Sequence, residues 1–214
     1  MLVLAFDTAT PAVTAALHDG ERVLAESTTI DARRHGELLV PTVERVLREA
    51  GATLREVSAI VAGSGPGPYT GLRVGLMTAQ GLATTLGVPA YGVCTLDAVA
   101  YGSGRAEPFL VATDARRKEV FWARYTDMRT RRDGPFVDRP ADVPVEGLPV
   151  VGAGADLYPD ILGKSDAPPY PYAGALAALA AERLAEGTPL DPPRPIYLRR
   201  PDAVVPGAPK RVTA

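Results

Sequence analysis

Gly63-Ser-Gly-Pro-Gly-Pro-Tyr-Thr-Gly-Leu-Arg-Val-Gly75 follows the apolar run Ala59-Ile-Val-Ala62 and opens a long helical pattern. A strand that breaks into a Gly/Pro turn and then a helix is how α/β proteins build phosphate sites. The turn presents backbone N–H groups, and the helix N-terminus adds partial positive charge. The residues that would carry chemistry are missing. No Gly-Lys-Ser/Thr follows, so this is not a Walker A loop. Gly65, Gly67 and Gly71 miss the dinucleotide spacing, because Thr70 stands where the third glycine should be. The stretch reads as a nucleotide-fold element kept for its shape.

Outward from this loop, the first half has clear punctuation. Leu2–Phe6 reads as a buried strand, broken by Asp7-Thr-Ala-Thr-Pro11. Ala12–His18 and Arg22–Thr29 flank Asp19-Gly20, a strong hairpin signal. A helix is expected from about His35 to Ala50, stopping at Gly51, with Pro41 inside to kink it or shift its start. Val57–Ala62 reads as a strand, and Thr70 to Leu86 as a helix closed by Gly87. A strand over Val88–Val93 and a short helix over Leu96–Ala100 follow. The order β-β-β-α-β-α places helices against a mixed sheet.

The second half is less regular. Phe109–Thr113 and Glu119–Tyr125 read as strands around Asp114-Ala-Arg-Arg-Lys118. Leu148–Val151 before Gly152-Ala-Gly154 reads as another strand and turn, and Ala173–Glu186 as a helix ended by Gly187. Pro189 to Ala214 carries seven prolines and is expected to be extended or disordered. The expected division is an N-terminal lobe over 1–100, a C-terminal lobe over 101–190 and a Pro-rich tail over 191–214. No internal repeat is visible.

Composition excludes several classes of function. At 214 residues and a formal charge of −2, the chain has a globular composition and no basic footprint for strong autonomous nucleic-acid binding. A single cysteine, Cys94, excludes an internal disulfide and is expected in a small buried apolar role. The N-terminus lacks a signal-peptide pattern, and no apolar run is long enough to span a bilayer. A soluble, cytoplasmic protein without membrane contact is expected.

Each motif has a sharp and a plain reading. Asp7-Thr8-Ala9-Thr10 could be a phosphate or Mg²⁺ loop, or a turn in which Asp7 and Thr8 bond their own backbone. His35 could grip a metal only with a second histidine one turn on, and Leu39 occupies that position. Gly71, Gly75, Ala79 and Ala83 form a ridge of small residues that lets another backbone approach closely. Both long helices have over-wide apolar faces. In the first, Leu39, Val43, Val46 and Ala50 form the inward stripe, which Val40 and Leu47 widen. In the second, Val74, Met77 and Gly81 make a patch on the far side from the core stripe. Full burial or a docked partner would each explain the excess. Arg116, Arg117 and Lys118 form a small basic cluster, read as a solvated turn or a polyanion contact. There is no Gly-x-Ser-x-Gly elbow.

At Phe6-Asp-Thr-Ala-Thr10, His35-Gly-Glu-Leu-Leu-Val-Pro41 and Gly65-Pro-Gly-Pro-Tyr-Thr-Gly-Leu-Arg-Val-Gly75 the chain resembles the TsaB (YeaZ) family. These small accessory subunits belong to the bacterial tRNA threonylcarbamoyladenosine machinery. The resemblance covers most of the first hundred residues and continues weakly to Ile196-Tyr-Leu-Arg199. It departs at Pro68-Tyr69, where the family usually has Gly-Pro-Gly-Ser-Phe. It implies an α/β, two-lobed actin/Hsp70/sugar-kinase-like (ASKHA) fold, with mixed β-sheets flanked by helices. It further implies a degenerate paralogue of the catalytic subunit TsaD, which carries a histidine pair for metal where this chain has His35 and Leu39. TsaB-like proteins pair with TsaD through their first two long helices and help recruit the ATPase TsaE. The product is the N6-threonylcarbamoyl group on adenosine 37 of tRNAs that read ANN codons.

The resulting expectation is a non-catalytic scaffold with no catalytic residue, metal or cofactor. Its partner face would comprise Leu39, Val40, Val43 and Leu47 on the first helix and Arg73, Val74, Met77, Gln80 and Gly81 on the second. Its degenerate nucleotide loops would comprise Asp7, Thr8, Thr10, Gly65 and Gly67. A homodimer could use the same helices, and tRNA would be met only indirectly. The rival readings are an ATP-dependent kinase or carbamoyltransferase, a metallopeptidase and a purely structural homodimer.

Overall fold

The computed structural model describes residues 1–199. Two mixed sheets divide the chain. The first takes β1 (Val3–Asp7), β2 (Ala12–His18), β3 (Val23–Ile30), β4 (Ala59–Gly63) and β5 (Ala90–Val93), in the order β3-β2-β1-β4-β5. β1 pairs antiparallel with β2 and parallel with β4. The second sheet takes β6 (Phe109–Asp114), β7 (Val120–Asp127), β8 (Thr130–Asp138) and β9 (Val150–Val151), in the order β8-β7-β6-β9. β6 likewise pairs antiparallel with β7 and parallel with β9. The two sheets therefore repeat one topology, short of a final strand, although the sequence shows no repeat.

All five residues of β1 are buried, because both faces of the first sheet are covered. On one face Leu4 and Phe6 meet α1 (His35–Glu49) and α2 (Tyr69–Leu86) through Val43, Val46, Leu72 and Leu76. On the other, Val3 and Ala5 meet α6 (Ala173–Ala185) through Leu176 and Leu179. The division at residue 100 placed this helix with the second lobe. It instead crosses back to cover the first sheet, where Ala173 N–H donates to Thr14 Oγ1 (3.0 Å). In the second sheet, Phe109 and Val111 pack on α3 (Thr95–Gly102), while Leu110 and Ala112 pack under α4 (Ala153–Leu157) and α5 (Pro159–Leu162).

Local signals decide the ends. α2 stops at Gly87, whose φ of 68° lies in the left-handed region. α1 runs through Pro41, which sits on its exposed side. β8, Thr-Arg-Arg-Asp-Gly-Pro-Phe-Val-Asp, is an edge strand absent from the sequence reading. Its residues are half-buried or exposed, so no apolar alternation marks it. Residues 191–199 form an extended strap. Gly92 N–H donates to Asp191 O (2.8 Å), and Ile196 N–H to Ser64 O (2.8 Å). The rest of the expected tail, from Arg200 on, lies outside the described residues. Among those described, no helix is long and apolar enough to cross a membrane.

Candidate functional site

The loop after β1 is built against the helix that follows β4. Asp7 is fully buried. Its Oδ1 accepts from Ala9 N–H (2.6 Å) and its Oδ2 from the Thr95 hydroxyl (2.7 Å), which in turn accepts from Gly65 N–H (3.0 Å). Burial pushes the Asp7 carboxyl up to about 6, against the pull of the bonds from Thr95 and Ala9 and of His35 nearby. The Thr8 hydroxyl donates to Gly71 O (2.7 Å) and accepts from Gly75 N–H (2.9 Å). Thr10 Oγ1 accepts from Ala12 N–H (3.2 Å). The plain reading, in which Asp7 and Thr8 bond their own backbone, describes only the bond of Asp7 to Ala9, while Thr8 bonds α2.

Four glycines make this packing possible. A Cβ at Gly63 would collide with the Asp7 carboxylate, and one at Gly67 with the Ala9 carbonyl. At Gly71 it would lie 2.5 Å from Thr8 O, and at Gly75 2.7 Å from Thr8 Oγ1. The ridge of small residues does admit a close backbone, and that backbone is the first loop of the same chain. Gly65 adopts a φ of 85°, a left-handed turn that glycine makes without strain. His35 binds the same loop, its Nε2–H donating to Thr10 O (2.8 Å). Leu39, at the position of the missing histidine, lies in the core.

The matching loop of the second sheet stays open. Asp114 Oδ1 accepts from Arg116 N–H (2.7 Å), as Asp7 does from Ala9. Arg116, Arg117 and Lys118 then take φ values of 60°, 56° and 61°. Left-handed backbone costs a side-chain-bearing residue about 1–2 kcal/mol. Three neighbouring hollows of about 450, 520 and 320 Å³ all have Arg116 in their walls. The first also has Thr113, Asp114 and Asp156, and the third Thr8, Arg33 and His35.

The structure divides the expected partner face. Val40 and Met77 are 53% and 56% exposed, and Arg73, Gln80 and Gly81 are exposed too. Val74 is half-buried and packs on the core. Leu39, Val43 and Leu47 are buried in the chain's own core, which corrects their placement on a docking surface. Leu47, read as widening the inward stripe, is only 8% exposed. The stripe on α1 is wide because the helix packs on β2, β3 and α2 at once.

Arg73 and Gln80 also have an internal duty that the sequence did not signal. Arg73 Nε–H donates to Tyr197 Oη (3.0 Å), and its guanidinium lies 4.1 Å from the centre of the Tyr69 ring. Tyr69 and Tyr197 stack at 5.6 Å. Gln80 Nε2 donates to Pro193 O (3.4 Å). These side chains tie the strap to α2. The signal for the strap was the Ile196-Tyr-Leu-Arg199 resemblance, which carries no periodicity. Cys94 is buried, and burial, followed by Asp97 nearby, pushes its thiol up to about 12. It is no nucleophile at neutral pH.

The model of the family described as TsaD, tRNA N6-adenosine threonylcarbamoyltransferase, matches residues 22–157. An uncharacterized protein of Mycobacterium tuberculosis (strain ATCC 25618 / H37Rv) is 47% identical over 210 residues, covering 94% of this chain and 93% of that one. The tRNA threonylcarbamoyladenosine biosynthesis protein TsaB of Escherichia coli (strain K12) is 41% identical over 128 residues, 58% of this chain and 55% of TsaB. The structure of YeaZ from Pseudomonas aeruginosa superposes with a TM-score of 0.80 at 32% identity, covering 92% of this chain and 99% of YeaZ. The two-lobed α/β fold, with mixed sheets flanked by helices, is the one that the sequence resemblance implied. The chain belongs to the TsaB (YeaZ) family.

Proposed function

We propose that this chain is a non-catalytic cytoplasmic subunit of the complex that places the N6-threonylcarbamoyl group on adenosine 37 of tRNAs reading ANN codons. It docks on the catalytic subunit TsaD through the exposed side of α1 and α2, and the pair recruits TsaE. One observation carries this reading. The carboxylate of Asp7 and the hydroxyl of Thr8, which a phosphate or Mg²⁺ loop would need free, are consumed by Thr95, Ala9, Gly71 and Gly75. Relatives named for threonylcarbamoyladenosine biosynthesis support it.

The experiment is copurification with TsaD, together with reconstituted threonylcarbamoyl transfer. Met77→Glu and Val40→Glu place a carboxylate on exposed positions, so circular dichroism should be unchanged. Docking would bury that charge unpaired, and association should fall by at least about two orders of magnitude. Leu47→Glu is no docking probe, because it buries the charge in the core and should unfold the chain. Wild-type yields of TsaD with both Met77→Glu and Val40→Glu would overturn the docking face. Turnover of ATP by the isolated chain would overturn the scaffold reading in favour of a kinase or carbamoyltransferase.

A further inference from the structure

We infer that the hollow between α4 and the loops after β1 and β6 binds a small organic cation, a primary amine with an apolar body. The hollow measures about 450 Å³, a size that suits a small-molecule site. Two polar side chains in its wall lack a partner. Thr113 is only 3% exposed, yet its hydroxyl makes no hydrogen bond among the described residues. A hydroxyl taken out of water without a partner costs stability, and most buried polar side chains have one. Thr113 borders this hollow and neither of the two beside it. Asp156, on α4, borders it too, and its exposed carboxylate has no ion pair or hydrogen bond among the described residues.

The charges in the wall select the sign of the guest. Asp114 pairs with Arg116 (3.1 Å), and these two charges offset each other. Asp156 is left as the uncompensated charge of the hollow. An anion would be repelled by that carboxylate, whereas an ammonium donates a charge-assisted hydrogen bond to it. An ammonium carries three donors and no acceptor, which matches one carboxylate and one hydroxyl oxygen. The rest of the wall asks for an apolar body. Leu157 is 53% exposed beside Asp156, and the half-buried Tyr170 lines the same hollow. Neither Asp7 nor Thr8 lines it, so the guest does not require the sealed loop to open.

The test is isothermal titration calorimetry of the full chain near neutral pH with n-hexylamine, against n-hexanol and hexanoate as matched controls. The amine should bind with a Kd below about 1 mM, a strength within reach of so small a ligand. The alcohol and the acid share its body without its charge, and should bind at least about tenfold more weakly. Asp156→Asn keeps the shape and removes the charge, and should weaken the amine at least about tenfold with Tm unchanged. Thr113→Val replaces the hydroxyl by a methyl of similar size, and should weaken the amine about fivefold. Its Tm should be unchanged or raised, since no internal bond is lost, whereas a threonine with a structural bond would lower it. A Kd for the amine above about 1 mM, or equal binding of hexanol, would overturn the site. So would wild-type affinity in Asp156→Asn, or a lowered Tm in Thr113→Val. None of these results bears on docking to TsaD, because neither Val40 nor Met77 lines the hollow.

Discussion

Two loops of this molecule begin alike and end differently. Each follows the first strand of a hairpin, and each opens with an aspartate whose Oδ1 accepts the amide two residues on, Asp7 from Ala9 and Asp114 from Arg116. In the first sheet α2 and the turn before it present Gly67, Gly71 and Gly75, so the loop sinks onto them and its polar atoms find partners inside the protein. In the second sheet the glycines after β9 meet the strand that leads into the turn rather than the turn itself. A Cβ at Gly152 or Gly154 would strike Ala112 in β6, upstream of the turn, and Arg116, Arg117 and Lys118 stay exposed. The same hairpin can thus be sealed or left open, and the difference lies in where the neighbouring helix carries its glycines.

The largest expected effect breaks the sealed loop. Gly67→Ala drives a methyl into the Ala9 carbonyl, where backbone meets backbone and no rotamer can yield. Urea denaturation should show a loss of about 3 kcal/mol. A loss below about 1 kcal/mol would mean that the loop can lift off α2 without cost, and the seal would be no seal.

Next in size is the pH dependence of Asp7. Its carboxyl sits near 6 in the folded chain against 3.8 when solvated, because burial outweighs its hydrogen bonds. Below pH 3.8 both states are protonated, and the full stability is present. Between 3.8 and about 6 the unfolded chain ionises first, so stability falls as pH rises, by about 3 kcal/mol in all. Asp7→Asn should abolish this fall, since an amide can still accept from Ala9 and does not ionise. Parallel stability–pH curves for the two proteins between pH 4 and 7 would show that Asp7 is not sealed from water.

The smallest effect sharpens the contrast by its sign. Arg116→Gly should stabilise the chain by up to about 1 kcal/mol, as it releases a left-handed residue. Ala9→Gly, at the equivalent position of the sealed loop, should destabilise by about 0.5–1 kcal/mol, because Ala9 is buried and its backbone needs no such freedom. Thermal unfolding of the pair distinguishes a strained turn from an ordinary one.

The amino-acid sequence by itself determined the punctuation of this fold. Asp19-Gly20 announced the hairpin, Gly87 the end of α2, and the loop from Gly63 to Gly75 a strand, a glycine turn and a helix. These are local matters of φ, missing side chains and residue spacing, so they can be read without knowing the neighbours. Met77, read as lying on the far side from the core stripe, is exposed, because a helical count needs only the helix. Tertiary structure alone decided the rest. Leu47 is core because β3 and α2 flank α1 together, and a single-helix count cannot see a second neighbour. α6 belongs to the first sheet because both faces of β1 need cover, a demand set across more than a hundred and fifty residues. β8 and the strap carry no apolar rhythm, since an edge strand and a Pro-rich segment are held by main-chain bonds and a few side chains rather than by a buried face. Whether Asp7 faced a ligand or Thr95 was likewise settled by packing, because four glycines on another strand and helix choose which backbone comes near.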